Sequence, residues 1–385
     1  MRNRVTSPNT AVNVPPSLDG TQQRLYRHVY TIFLVLLIIQ SAAPATTPLV
    51  YISIIALSLA VVFSRHPITL NLTACIAVLA ALLLSVAAAE AISARTIRDA
   101  CVIVTSVLIL AGPQLVDRTA VQRTMLALLC SLAVQGANGR LQYVSAFDLA
   151  GSEGLLESEL SFTFAVALIF FTYRRKKLWA ALCLAAMILT FKRMAFIALG
   201  TSFVALSIYY LVWPGQTSRL ARFIYLAMFV AITAAVALSA DKLFEFVATN
   251  FFPEQSANQL SFGRFNMLNW SMQYFQAGPI LNQLFGYGPG RINELFFQVW
   301  RPGFEHAHND YMKILFDYGW VGFSLILFAF IALFSRNVPT MAAGYATMLI
   351  FMTDNTLIYV TFMIPLAYCC LTVQSSRSSP SGLGD

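Results

Sequence analysis

Charge is what this sequence has least of. Only 11% of its 385 residues are Asp, Glu, Lys or Arg, whereas 58% are hydrophobic. A soluble domain carries about 25% charged residues, so this composition excludes an ordinary soluble protein. The apolar runs are also too long for transmembrane β-strands, which alternate over about 10 residues. The sequence therefore predicts an all-α, polytopic membrane protein.

Cysteine is scarce, and several catalytic motifs are missing. The six cysteines all lie in apolar runs, at positions 75, 101, 130, 183, 369 and 370, which excludes a disulfide framework and Cys/His metal spacing. The sequence contains no Walker loop, no GxSxG, no HExxH and no DxD-like pair. The missing Asp-rich motif argues against a metal-dependent glycosyltransferase, so no metal and no cofactor are expected.

Long apolar runs predict about twelve transmembrane helices. They lie near 29–43, 48–64, 69–89, 100–116, 124–137, 159–173, 178–191, 194–213, 223–240, 311–334, 340–353 and 356–373. Helices 1–9 thus occupy residues 29–240, and helices 10–12 occupy residues 311–373. Residues 1–28 and 374–385 are polar and are predicted to be disordered cytoplasmic tails.

The distribution of charge predicts the orientation of these helices. With both termini in the cytoplasm, most of the 25 Lys and Arg fall inside, including the basic run at 174–177, and most of the 17 Asp and Glu fall outside. This pattern satisfies the positive-inside rule. The net charge of +8 thus reports orientation and an anionic inner leaflet, and nucleic acid is not needed to explain it.

The longest loop, residues 241–310, is predicted to form a helical periplasmic cap. It is rich in aromatic residues, and residues 262–275 place apolar side chains near i, i+3, i+4 and i+7, which predicts an amphipathic helix. The GYGPG cluster at 286–290 predicts a turn. We expect the aromatic face of this cap to lie at the outer membrane surface.

Two cations break the positive-inside pattern. Lys192 and Arg193 sit at the predicted outer end of the seventh span. They either reach into the headgroups by snorkelling or hold an anionic ligand at the membrane edge.

Two further arginines of the cap follow glycines. Arg264 comes after Gly263, and Arg291 comes after Gly290, where backbone can approach a ligand closely. Guanidinium groups bind phosphate oxygens in a bidentate way, so both are candidate phosphate ligands. The alternative for each is a salt bridge within the cap, for example to Glu294 or Glu245.

The histidines His306 and His308 lie just before an apolar helix. Asn309 or Asp310 is predicted to cap that helix, which places His308 above the membrane at the helix N-terminus. This end of the helix dipole disfavours an imidazolium, so we expect a neutral His308 that can act as a general base. A zinc site at the two histidines has too few ligands.

The first turns of the same helix carry further polar residues and glycines. Lys313 and Asp317 are four residues apart and are predicted to pair. Gly319 and Gly322 fit close packing of helices through small residues.

Four elements resemble, in order, the motifs of the O-antigen ligase and polymerase superfamily. His308-Asn309, nine residues and then GWVG at 319–322 resemble its His-Asn-x9-Gly-x-x-Gly signature. SFGR at 261–264 with Trp270 resembles its Gly-Arg and Trp stretch, and FGYGPG at 285–290 resembles its Gly-x-Gly turn. FKRMAF at 191–196 resembles its Ser-Arg-type element, with Lys192 in place of the serine.

The resemblance implies a fold like that of GT-C-type glycosyltransferases in the bacterial inner membrane. Such enzymes transfer a glycan from undecaprenyl diphosphate to an acceptor hydroxyl at the periplasmic face, with inversion and without metal. The resemblance implies that Arg193 and Arg264 hold the diphosphate and that His308 is the base. Lys192, Arg291, His306 and Asn309 would then bind substrate in secondary roles.

Three functions remain open. A polymerase joins lipid-linked repeat units, so both of its substrates carry diphosphate, and the Lys192-Arg193 doublet favours it. A ligase transfers the finished chain to lipid A-core or another acceptor. A transporter of lipid-linked sugars is the third reading. The partners expected are the lipid-linked donor, a glycan or lipid acceptor, membrane lipids, and flippase and chain-length regulator proteins.

Overall fold

A computed structural model describes residues 20–62, 71–89, 94–112, 119–138, 160–190, 192–213, 218–251, 253–254, 256, 264–300, 308–354 and 356–372. Within these ranges the chain forms α-helices, two short 3-10 helices and no strand, which confirms the all-α fold. The α-helices are α1 (Gly20–Ala42), α2 (Thr47–Val62), α3 (Asn71–Ala88), α4 (Ala94–Ala111), α5 (Ala120–Ala137), α6 (Leu160–Tyr173), α7 (Lys177–Thr190), α8 (Arg193–Val212), α9 (Arg219–Leu238), α10 (Ala240–Phe251), α11 (Arg264–Ala277), α12 (Ile280–Phe285), α13 (Arg291–Trp300), α14 (Asp310–Phe334), α15 (Val338–Phe351) and α16 (Val360–Thr372).

The predicted spans coincide one by one with α1–α9 and α14–α16. Five of these helices are long and apolar enough to cross a membrane, namely Arg24–Ala42, Ala120–Ala137, Met194–Val212, Arg219–Leu238 and Asp310–Phe334. Six more are apolar but shorter, and α4 carries charged residues near its start. The chain is thus a polytopic helical membrane protein, and the number of crossings stays a prediction.

The first helix begins earlier than predicted. Residues 20–28 were expected in a disordered tail, but α1 starts at Gly20. Tyr26 and Tyr30 are one turn apart and both are buried, so the apolar face of α1 extends beyond the apolar run in the sequence. Residues 1–19 and 373–385, the rest of the predicted tails, lie outside the described residues.

A break in α14 decides how the cap meets the bundle. The sequence predicted an uninterrupted helix and assigned Gly319 to helix packing, but Gly319 has φ 65° and ψ −178°. A Cβ built at this position would lie 2.4 Å from the carbonyl carbon of Leu284 and 2.5 Å from the nitrogen of Gly286. Gly319 is therefore required because its backbone turns there and because the cap chain passes directly over it.

The predicted turn at 286–290 docks on this break. A helix break leaves carbonyls without their N–H partners four residues on. The N–H of Tyr287 donates to the carbonyl of Phe316 at 3.1 Å, and the N–H of Gly288 donates to that of Asp317 at 3.1 Å. The turn of the cap thus replaces the helical hydrogen bonds that the break removes.

The predicted helix of the cap is present as α11, but its apolar residues are not confined to one face, and several of its aromatic rings contact other helices. Trp270 packs on Phe296, and the Tyr274 and Phe275 rings lie 5.7 and 6.3 Å from that of Phe316 in α14. Phe275 is buried. Tyr274 and Phe275 thus contribute to the contact between cap and bundle, although Tyr274 stays partly exposed, and the position of the cap on the membrane surface stays a prediction.

The opposite end of the bundle is closed by arginines. Arg219 donates to the carbonyl of Ala332 at 3.1 Å, and Arg222 donates to the carbonyls of Ser335 and Arg336, both at 2.9 Å. These carbonyls belong to the last turn of α14 and the residues after it, where a cation complements the helix dipole. The arginines thus join α9 to α14 at the end that charge distribution assigned to the cytoplasm.

We expect Gly319→Ala to lower the free energy of unfolding by about 2 kcal/mol or more. Alanine must adopt a positive φ there and its Cβ meets the backbone of the cap. Gly200→Ala is the matched control, because nothing lies within 4 Å of a Cβ at this helical position. Thermal unfolding in detergent compares the two, and equal melting temperatures would contradict the role assigned to the break.

Candidate active site

Four separate segments meet at one end of the bundle, which is called the site end below. They are the α7–α8 junction with Lys192, the start of α11 with Arg264, the start of α14 with His308, and the segment after α15 with Asp354. The structure therefore brings three of the residues predicted from sequence together around a fourth that the sequence analysis missed.

Asp354 is the acid at the centre of this group. Its carboxylate is buried and forms an ion pair with Lys192. The Tyr359 hydroxyl donates to Oδ1 at 3.0 Å, and the Nδ1 atom of His308 lies 3.9 Å from the same oxygen. Burial alone would raise the pKa of Asp354, but the nearby His308 and the Lys192 ammonium hold that pKa well below its usual range.

Lys192 is buried and pairs with an acid of the protein, a contact that neither reading of its charge included, so its binding of an anionic ligand stays a prediction. Snorkelling into headgroups requires an exposed ammonium, but Lys192 is only 8% exposed. Its Nζ pairs with Asp354 and lies 4.6 Å from the ring centroid of Phe162. The Lys192 charge is thus directed into the site end and away from the membrane surface.

His308 stands at the N-terminus of α14 with a left-handed backbone, φ 48°. Histidine is one of the few residues besides glycine that adopt this conformation with some frequency. Its ring is partly exposed and turns Nδ1 toward Asp354. The Asp354 carboxylate therefore lies on the Nδ1 side of the ring, and the role of His308 as a general base stays a prediction.

Asn309 caps α14, as one of the two predicted alternatives had it. Its Oδ1 accepts from the N–H of Met312 at 3.0 Å, and its Nδ2 donates to the carbonyl of Ala237 at 3.0 Å. Asp310 instead accepts from the N–H of Leu357 at 2.8 Å. Both ends of the Asn309 amide contact protein, so its role in substrate binding stays a prediction without a contact that favours it.

Arg264 is the first residue of α11 and lies beside the acid. Its Nη1 is 3.4 Å from the carbonyl of Thr353, the neighbour of Asp354. Among the described residues Arg264 forms no ion pair with a carboxylate, so the cap salt bridge that was its alternative reading is not found there. Its guanidinium therefore reaches the site end without an acid of the described residues to neutralise it.

The remaining predicted residues are less closely tied to this group. Arg291 pairs with Glu294 at 3.2 Å, which is the structural alternative named for it. The backbone of Arg193 begins α8, next to Lys192, but its side chain lies outside what the structure describes. His306 also lies outside the described residues.

A buried ion cluster lies two turns along α14 from His308. Lys313 and Asp317 pair at 2.7 Å, as the sequence predicted. Lys313 also pairs with Asp99 of α4 at 2.7 Å, and Asp99 pairs with Arg98 at 2.9 Å. The sequence analysis did not identify Asp99, because this part of the chain contains hydrophobic runs but no recognisable motif.

Residues 178–327 match the family described as O-antigen ligase. The match runs from α7 into α14, so it contains the Lys192-Arg193 doublet, Arg264, the glycine turn and the His308 signature. No curated protein matches the chain. The family match confirms the resemblance to the O-antigen ligase and polymerase superfamily, whose members act on glycans at membranes.

Lys192→Met is expected to destabilise the protein by about 3 kcal/mol, because it leaves the buried carboxylate of Asp354 without its ammonium partner. Adding Asp354→Asn should restore about half of that loss or more, since the uncompensated charge is then gone. Melting temperatures of the two single variants and the double variant in detergent give the coupling. Strictly additive effects would show that the two side chains do not act as a pair.

Proposed function

We propose that this chain, whose central segment is that of an O-antigen ligase family protein, polymerises oligosaccharide repeat units carried on undecaprenyl diphosphate. The reaction builds a surface polysaccharide, either an O-antigen or an exopolysaccharide, at the periplasmic face of the inner membrane and without a metal ion. The observation that carries the proposal is the convergence of His308, Arg264 and Lys192 around Asp354 at one end of the bundle.

The histidine and the acid supply the base. With Nδ1 of His308 turned to Asp354, Nε2 is the nitrogen that meets the acceptor hydroxyl. His308 takes the hydroxyl proton as the acceptor oxygen bonds to the anomeric carbon of the donor. The Asp354 carboxylate orients the ring and stabilises the imidazolium, in the way that an acid orients histidine in other acid–base pairs.

The cations supply stabilisation of the leaving group. As the glycosidic bond breaks, its electron pair leaves with undecaprenyl diphosphate, and negative charge develops on the bridging oxygen. Arg264 and Arg193 are the proposed ligands of that diphosphate, because fixed guanidinium groups in a partly dry site stabilise developing charge. The polyprenyl tail requires such a site to be at the membrane edge, where the ends of α7, α8 and α14 meet.

The count of cations favours a polymerase over a ligase. Lys192, Arg193 and Arg264 come from two segments at the site end, and only a polymerase binds two diphosphate-linked substrates. Lys192 is paired with Asp354 in the structure. To bind a substrate phosphate, its ammonium would exchange the Asp354 carboxylate for that phosphate. A ligase acting on lipid A-core remains the alternative, and it would use the same donor site.

The proposed orientation follows from charge. The arginine-closed end of the bundle is assigned to the cytoplasm by the positive-inside rule, and the site end is then periplasmic. Flippase and chain-length regulator proteins are the expected partners, since the repeat units must reach that face and the product must be limited in length.

The lipid-linked glycans of a deletion strain test this proposal directly. We expect single repeat units on the lipid carrier, and restoration of polymer by the wild-type gene but not by His308→Asn. Asparagine tolerates the left-handed backbone of His308, so it removes the base without adding strain, and His308→Ala serves as a second variant. The loss of turnover should reach about 10²-fold or more.

Other outcomes of that experiment are equally clear. Long polymer stranded on the lipid carrier would make the protein a ligase. A normal glycan profile in the deletion strain would contradict both functions and favour a transporter. Turnover near wild type in His308→Asn would refute the general base while leaving the reaction class intact.

Arg264→Ala should reduce turnover of lipid-linked donor by about 10²-fold, because it removes a fixed cation from the developing diphosphate. Arg264→Lys should be less impaired, yet remain below wild type, since an ammonium cannot bind two phosphate oxygens as a planar fork. Initial rates at saturating and limiting donor measure both variants. Equal loss in Ala and Lys variants would argue for a packing role of the arginine, and no loss in either would remove Arg264 from the site.

A further inference from the structure

Four side chains of alternating charge form a continuous row across the α4–α14 contact. Arg98 pairs with Asp99, Asp99 with Lys313, and Lys313 with Asp317. Only Arg98 has access to solvent, and the other three side chains are at most 1% exposed. The row therefore begins near the surface at the end of the bundle and ends at a fully buried carboxylate.

Stability alone is a poor explanation of this row. Burying charges costs free energy that their attraction does not always return, and apolar residues of similar volume often serve as well. Ionisable residues inside membrane helices are costly and usually have a function. The four formal charges sum to zero, but the three fully buried ones sum to −1, so the partly exposed Arg98 completes the charge balance of the row.

The Asp317 carboxylate has a second set of partners in the cap. Oδ2 accepts from the N–H of Gly290 at 2.9 Å, and Oδ1 accepts from the N–H of Ile292 at 3.0 Å. These two amides flank Arg291 at the start of α13. Negative charge at a helix N-terminus is favourable, so the carboxylate stabilises the first turn of α13. It also holds the backbone on both sides of Arg291 in place.

The main chain around Asp317 is held in the same way. Its carbonyl accepts from the hydroxyl of Ser85 in α3 at 2.6 Å and from the N–H of Gly288 at 3.1 Å. A Cβ on Gly286 would lie 2.1 Å from this carbonyl oxygen. Asp317 of α14 thus contacts both α3 and the glycine turn of the cap, and it is linked to α4 through Lys313.

We infer that Asp317 is a positioning residue, which fixes the glycine turn and the start of α13 relative to His308, and that Asp99 and Arg98 serve to balance charge in the row. Lys313 and Asp317 lie on the stretch of α14 ahead of Gly319, and His308 directly precedes the N-cap of that stretch, so the turn and the histidine are attached to the same helical segment. This inference rests on the proposed function, because Arg291 at the start of α13 has a secondary role in binding substrate only if the family resemblance holds. The expected consequence is that Asp317 governs donor binding more than the chemical step.

The test compares Asp317→Asn with Asp99→Asn. Each variant removes one carboxylate from Lys313, but only Asp317→Asn removes an acceptor from the amides of Gly290 and Ile292. Hydrogen exchange by mass spectrometry on peptides covering 286–300 reads those amides without any assay of activity. We expect exchange about tenfold faster in Asp317→Asn than in Asp99→Asn, with α15 unchanged as a control for folding.

Steady-state kinetics on a lipid-linked single repeat unit in detergent form the second arm. We expect Asp317→Asn to raise the donor KM by about tenfold with a smaller change in kcat, and Asp99→Asn to change neither much. If Asp317→Asn does not accumulate as folded protein, Asp317→Glu replaces it, because it keeps the charge and moves the carboxylate by one methylene.

Equal exchange in the two variants, or equal kinetic effects, would overturn the inference and leave the row as charge balance only. Faster exchange without a change in donor KM would also overturn it, since the turn would then be fixed without being needed for the donor. Failure of the wild-type enzyme to turn over the donor would instead overturn the proposed function, and the exchange comparison would still decide whether Asp317 holds the turn.

Discussion

The break in α14 at Gly319 is the constraint on which the arrangement of cap and bundle depends. Backbone polar groups have no water to bond with in hydrocarbon, so a broken membrane helix must have its carbonyls satisfied by other protein groups. The N–H groups of Tyr287 and Gly288 fill that need. The cap is thereby bonded to the main chain of a spanning helix, a contact more specific than the packing of side chains on a membrane surface.

A second constraint is the burial of charge at the site end. A buried carboxylate needs a cation, and Asp354 has Lys192, with His308 close by. Because the three come from different segments, the pairing fixes the ends of α7, α8, α14 and α15 relative to one another. The same electrostatics that hold these ends together also set the ring orientation of His308 and place a displaceable ammonium where a phosphate is proposed to bind.

Local patterns in the sequence predicted the local features well. Apolar runs gave the helices of the bundle, the Asn309 cap and the Lys313–Asp317 pair followed from spacing within one helix, and the amphipathic pattern gave α11. Long-range partners were not predictable in this way. Asp354 and Asp99 stand near span ends with no motif around them, and only the folded chain shows that they meet His308 and Lys313.

The surroundings of a predicted element were harder to predict than the element itself. The apolar spacing in 262–275 predicted a helix, but it did not tell which of the aromatic residues of α11 meet protein and which stay exposed. Gly290 suggested a close approach of the backbone to a ligand, whereas its N–H donates to the Asp317 carboxylate of α14. In both cases the missing information was the break in α14, which a single glycine in an apolar run does not distinguish from close helix packing.

The spacing in the His-Asn-x9-Gly signature acquires a physical meaning from this break. The residues between Asn309 and Gly319 form one helical segment, which spans about 15 Å at the rise of an α-helix. Its N-terminus carries the histidine beside Asp354, and its C-terminus carries the docking point of the glycine turn. An insertion or deletion of one residue would rotate Asp317 by about 100° relative to His308, so the turn and the histidine could not both keep their partners. The signature therefore specifies a distance and a rotation between two parts of the site as well as the residues themselves.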